Sequence, residues 1–162
     1  MKVFIGLGSN LANPQMQVLS AQQDLASMPM TQWISISSLY KSPPMGPQDQ
    51  PDYINAVVAL ETTLSPYDLL SQLQQIEHHH GRIKQRHWGE RTLDLDILLY
   101  GEQQIDEADL HIPHKGIAER AFVLYPLAEI APDLNIPRHG QIAKLLALCP
   151  QDNLERVEIN DI

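Results

Sequence analysis

The chain has 162 residues, enough for a single domain spanning 1–162, and its 43% apolar content excludes disorder throughout. Eleven Lys+Arg against 20 Asp+Glu give a net charge of −9, which excludes a surface built to wrap nucleic acid. One cysteine, Cys149, excludes an internal disulfide or a multi-Cys zinc site. With no apolar run near the roughly 20 residues of a membrane span, and a start too quickly polar for a signal peptide, a soluble cytoplasmic monomer without membrane or nucleic-acid partners is expected.

Val3 to Leu7 reads as a buried strand ended by a tight strand-to-helix turn at Gly6-Leu7-Gly8-Ser9-Asn10. A helix begins near Pro14, with Asn13 as N-cap and Val18, Ala21, Leu25 and Met28 on its apolar face. Period-two alternation at Ile34-Ser35-Ile36-Ser37 predicts one strand over about 32–41. Ser42 to Asp52 holds four of the 12 prolines and reads as a long loop. A strand over 53–63 follows, with Ala56, Val58 and Leu60 on one face. Ser65-Pro66 then starts a helix with Leu69, Leu70, Leu73 and Ile76 as its stripe, ended by Gly81. After an irregular stretch over 82–91, a strand runs from 92 to 100. A short strand near 103–105, then the segment 110–113 leading to a helical stretch around 116–120, a short strand at Phe122–Leu124 and a last helix over 142–148 complete the chain. The order β-α-β-β-α-β predicts an α+β, ferredoxin-like core. Its antiparallel sheet is flanked by helices, with short strands and a C-terminal helix appended.

Asp94 and Asp96 share one strand face, with Leu93, Leu95 and Ile97 on the other. Two carboxylates at that spacing suit Mg²⁺, which keeps phosphate oxygens and water as its other ligands. The same pair also fits a solvated strand end. Directly before it, residues 81–91 concentrate four of the 11 basic residues with one acid. That pattern fits a metal–polyphosphate ligand, or salt bridges to Asp94 and Asp96. His111, His114, Lys115 and Arg120 fit a second phosphate contact, or a solvated loop. The run His78-His79-His80 is a poor zinc site, because adjacent helical residues diverge by about 100°. Tyr53 and Asn55 share a face and offer a stacking ring beside an amide, suited to a flat heteroaromatic ring.

Several segments together carry a specific likeness. They are Ile5-Gly6-Leu7-Gly8-Ser9-Asn10-Leu11, Ser42-Pro43-Pro44-Met45-Gly46, Gln48 to Ala56, Arg91-Thr92-Leu93-Asp94-Leu95-Asp96-Ile97, Ile112-Pro113-His114 and Tyr125-Pro126-Leu127. In this order and spacing the chain resembles 6-hydroxymethyl-7,8-dihydropterin pyrophosphokinases of folate biosynthesis from residue 1 to about 148. The resemblance implies transfer of diphosphate from ATP to the pterin hydroxymethyl group, with two Mg²⁺ ions. Asp94 and Asp96 would bind the metal, and Asp96 is a candidate acceptor of the hydroxyl proton. Arg82 and Arg91 would act in catalysis from a lid over 82–91. ATP would meet Leu70, Gln74, Glu77, Lys84, Trp88, Ile97, His114, Lys115 and Arg120 as well. The pterin would lie between Tyr53 and Phe122, bonded by Asn55 and by the backbone of Ser42, Pro43, Pro44 and Met45. Family members carry Arg near the position of Asp109, so that contact is not carried over. Two other readings of the residues are a non-catalytic nucleotide-sensing module and a metal-dependent phosphohydrolase.

Overall fold

Pro14 opens helix α1 (Pro14–Ala26) at its first turn, where a missing N–H costs nothing. Asn13 stands at the N-cap position, but in the left-handed region (φ 61°) and with no side-chain cap bond, so its predicted capping is corrected. The computed structural model describes residues 1–11, 13–44, 49–81, 92–151 and 153–157. Before α1 runs strand β1 (Lys2–Ser9), and after it come β2 (Thr31–Ile36), β3 (Leu39–Ser42) and β4 (Tyr53–Thr62). Helix α2 (Pro66–His79) starts as its sequence predicts: Ser65 Oγ accepts the Asp68 N–H at 3.1 Å, and Gly81 takes the left-handed conformation after its end. Strands β5 (Asp94–Tyr100), β6 (Ile105–Glu107) and β7 (Leu110–Ile112) follow. The remainder is α3 (Ala121–Ile130), β8 (Asn135–Ile136), β9 (Gly140–Gln141), α4 (Ile142–Leu148) and β10 (Glu155–Val157).

The main sheet runs β10-β3-β4-β1-β5, with β2 also on β4, and all its pairings are antiparallel. This is the ferredoxin-like order that the β-α-β-β-α-β reading predicts. The single strand predicted over 32–41 is two strands along one edge of β4. Ser37 makes the break. Its N–H donates to the Val57 carbonyl at 2.9 Å, and its hydroxyl, not its carbonyl, accepts the Val57 N–H at 2.9 Å.

Both sheet faces are covered. Val18, Ala21, Leu25, Leu69 and Leu73 of α1 and α2 pack on Val3, Ile5, Ala56, Val58, Leu95 and Ile97. Val123, Leu124, Leu127 and Ile142 of α3 and α4 pack on Phe4, Val57, Ala59, Leu98 and Leu99. The short strand predicted at Phe122–Leu124 is instead the first part of α3, and the helical stretch predicted around 116–120 is turns over 116–119 followed by Arg120, the extended N-cap residue of α3. A short apolar run cannot separate strand from helix by period when both sides are buried. Pro126 inside α3 hid the helix further, since it cannot donate to the Phe122 carbonyl. Among the described residues, no helix is long and apolar enough to cross a membrane.

Candidate active site

Strand register assembles the site. Gly6 pairs with Asp96 and Val57, and Gly8 pairs with Asp94 and Asn55. Period two puts these residues on the face away from α1 and α2. Gly6 and Gly8 are therefore strand residues, and the tight turn predicted there is corrected. Their missing side chains leave a floor of bare backbone. A Cβ on Gly8 would stand 3.4 Å from Asn55 Oδ1 and 3.7 Å from Tyr53 Cδ1. Above this floor opens a cleft of about 700 Å³, part of it open to solvent.

One end of the cleft is suited to a flat ring. Tyr53, Asn55, Ser42 and Pro43 line one side, and Phe122 and Val123 at the start of α3 line the other. Asn55 is 4% exposed, and its Nδ2 donates to Ser42 Oγ at 2.7 Å, which fixes the plane of the amide. The chain entering β4 is pinned by buried Asn10. Its Nδ2 donates to Gln50 Oε1 at 2.9 Å and to the Pro51 carbonyl at 3.0 Å.

The other end is charged. Asp94, Asp96, His114 and Arg120 line it. A bulge in β5 places His114 there. Ile5 pairs with Ile97 and Phe4 with Leu99, so Leu98 is the extra residue. The Leu98 carbonyl accepts the His114 N–H at 3.0 Å. His114 Nδ1 accepts the Gly116 N–H at 3.2 Å, which leaves the ring proton on Nε2, 3.9 Å from Asp96 Oδ2. Burial pushes the imidazole pKa below its usual value despite Asp96, and Arg120 adds to that. Arg120 lies against Gly116, where a Cβ would come within 2.3 Å of its Nε, and its guanidinium stands 5.9 Å from the Phe122 ring. Two carboxylates on one face, half-buried and exposed, form a hard oxygen donor set that fits Mg²⁺ held partly by phosphate and water. No cluster of three His, Cys, Asp or Glu is present among the described residues.

Nine residues predicted from sequence thus line one cleft: Ser42, Pro43, Tyr53, Asn55, Asp94, Asp96, His114, Arg120 and Phe122. Pro44 is buried beside it, and Lys115 is exposed. Leu70, Gln74 and Glu77 lie on α2, and Ile97 faces the core on that side, across β5 from the cleft. Met45, Arg82, Lys84, Trp88 and Arg91, with the predicted lid over 82–91, lie outside the described residues. Sequence reasoning missed Gly6, Gly8, Leu98 and Val123. The alternation of Gly6 and Gly8 within an apolar run was the available signal for the floor. His80, next to exposed His78 and His79, has its ring nitrogens 2.7 Å from Gln17 Oε1 and 2.7 Å from Asp24 Oδ2, which ties α2 to α1.

Residues 4–132 match the sequence pattern of the 7,8-dihydro-6-hydroxymethylpterin-pyrophosphokinase (HPPK) family. The chain is similar to the 2-amino-4-hydroxy-6-hydroxymethyldihydropteridine pyrophosphokinase of Pseudomonas aeruginosa, with 49% identity over 156 residues and 96% of each chain covered. It is similar to the Haemophilus influenzae protein of the same name, with 51% identity over 143 residues, covering 88% of this chain and 89% of the relative. Its fold is like that of the Plasmodium falciparum HPPK-DHPS crystallised with pteroate. There the TM-score is 0.73 at 14% identity, covering 91% of this chain and 42% of that one. Motifs, register and relatives converge: the chain belongs to the 7,8-dihydro-6-hydroxymethylpterin-pyrophosphokinase family and is a pyrophosphokinase of folate biosynthesis.

Proposed function

We propose that the protein transfers the β,γ-diphosphate of ATP to the hydroxymethyl oxygen of 6-hydroxymethyl-7,8-dihydropterin, in the cytoplasm and with two Mg²⁺ ions. The observation that carries this reading is one cleft lined both by Tyr53, Asn55 and Phe122 and by Asp94, Asp96, His114 and Arg120. The names of the relatives, which specify a hydroxymethyldihydropteridine, support the same substrate.

The pterin stacks between Tyr53 and Phe122, and the Asn55 amide reads its polar edge. The bare floor at Gly6 and Gly8 lets the ring lie against backbone. The substrate's hydroxymethyl oxygen then points toward the charged end and attacks the β-phosphorus. The bond from that phosphorus to the oxygen bridging to the α-phosphate breaks, AMP leaves with its electron pair, and the hydroxyl proton passes to the Asp96 carboxylate. Asp94 and Asp96 hold the ions, which when bound neutralise charge on the phosphate oxygens. Arg120 and His114 Nε2–H supply donors from the opposite side, and Arg82 and Arg91 supply further positive charge. Lys84, Trp88, Lys115, Leu70, Gln74, Glu77 and Ile97 complete the nucleotide site in this proposal. Positioning and charge neutralisation are the whole task, since phosphoryl transfer needs no covalent nucleophile.

The test is AMP release from Mg²⁺ and ATP with and without the pterin. Release only with the pterin is expected. Release regardless makes the protein a phosphohydrolase, and no release makes it a nucleotide-sensing module.

A further inference from the structure

We infer that Glu129, far from the reacting atoms, is a positioning residue that sets the rotation of α3 and so aims Phe122 into the pterin end of the cleft. This rests on the functional reading above. Phe122 and Glu129 are seven residues apart on α3, so they share one side of the helix, about 10 Å apart along its axis. Tyr40 and Ser42 are two apart on β3, so they share one strand face. The two shared sides meet at two points. At the cleft, Phe122 faces the wall that contains Ser42 and Asn55. At the far end, the Tyr40 hydroxyl donates to Glu129 Oε1 at 2.6 Å.

Among the described residues, α3 also packs on the sheet through apolar residues such as Val123 and Leu127, which is non-directional, and outside the sheet its Tyr125 hydroxyl donates to the Cys149 carbonyl at 2.9 Å. The carboxylate supplies direction. Its Oε2 accepts the Ser38 N–H at 2.9 Å, the Ser38 hydroxyl at 3.0 Å and lies 3.2 Å from Arg156 Nη2. Arg156, on β10, also donates from Nε to Ser38 Oγ at 2.7 Å. One side chain thus ties α3, β3 and β10. Helical residues are about 100° apart around the axis, so a turn of α3 by one residue would break every one of these bonds and swing Phe122 off the ring. Asn55 is the register partner of Tyr40, so the tie also anchors the strand pair that carries the amide.

The test compares Glu129→Ala, Glu129→Gln and Tyr40→Phe in the full chain. Pterin affinity is read from its own fluorescence, ATP affinity by calorimetry, kcat from AMP release, and fold from circular dichroism. Glu129→Ala is expected to weaken pterin binding about tenfold and Tyr40→Phe about threefold. ATP affinity should stay within about threefold, since Arg120 precedes the helix and its N–H is held by the Gly116 carbonyl at 3.2 Å. Glu129→Gln keeps the shape and one acceptor, and should recover most of the loss. Should Glu129→Ala lose its native spectrum, Tyr40→Phe decides. Folded variants that bind pterin as wild type does, or lose ATP and pterin affinity alike, overturn the positioning role alone. Wild-type protein that fails to bind the pterin overturns the functional reading and this inference with it.

Discussion

The backbone N–H of Leu95 donates to Oε2 of Glu77 at 2.8 Å, bonding the middle of α2's last turns to the strand between Asp94 and Asp96. Glu77 is 5% exposed, so the carboxylate is a fixed strut. Glu77→Ala leaves a buried N–H without this acceptor and should destabilise the fold by about 1–3 kcal/mol, while Glu77→Gln keeps an acceptor and should lose less. Urea unfolding measures both. If Glu77→Ala keeps its stability and raises only the KM for ATP, the side chain serves the nucleotide site alone and is no strut.

Asp94→Ala and Asp96→Ala should each cut kcat by about 100-fold or more. Neither should unfold the protein, because removing one of two neighbouring carboxylates relieves repulsion. Turnover against Mg²⁺ concentration, beside a thermal melt, checks this. A variant that regains full kcat at high Mg²⁺ would remove that residue from the essential set.

Asn55→Ala deletes the amide that donates to Ser42 Oγ at 2.7 Å. Pterin binding should weaken by about 1–3 kcal/mol, because the ring loses partners in a buried site. ATP binding alone should be unchanged by calorimetry. The opposite pattern would move the ring-binding site elsewhere.

Gly8→Ala places a methyl 3.4 Å from Asn55 Oδ1, an ordinary contact. The strand should tolerate it and gain about 0.5–1 kcal/mol from the lost glycine entropy. The raised floor should nonetheless weaken pterin binding. Higher Tm with lower pterin affinity is the expected pair of readings; unchanged affinity would place the ring away from the floor.

Burial and the bond to Glu129 push the Tyr40 phenol up to about 12. Its unfolded value is about 10. The folded state therefore binds the proton more tightly, so the contribution is complete below pH 10 and is lost as pH rises from about 10 to about 12. Stability measured by denaturant should fall across that window, and the fall should be smaller in Tyr40→Phe. Equal slopes in the two proteins would show that other groups cause the alkaline loss.

Local chemistry was legible in the sequence where a residue's neighbours in the chain decide its role. Ser65-Pro66 announces α2, and the alternation around Asp94 and Asp96 gives their shared face. Register was harder: Gly6 and Gly8 become a floor only because β1 lies between Asn55 on one side and Asp94 and Asp96 on the other. Helix α3 was hidden by apolar residues on nearly every side and by Pro126. Glu129 carried no signal at all, being 89 residues from Tyr40 in the chain. The bulge at Leu98 was equally silent, since an all-apolar strand reads the same with or without an extra residue.

Ser38 and Arg156 meet across 118 residues of chain. Strands β1 to β5 and their helices lie before residue 101, whereas β10 is made some 55 residues later. Contacts so distant in sequence close late. A nascent or C-terminally clipped chain would then have its α1–α2 core and its carboxylate pair before the β10 part of the brace on α3. Proteolysis of the tail would then be felt as a weaker grip on the pterin.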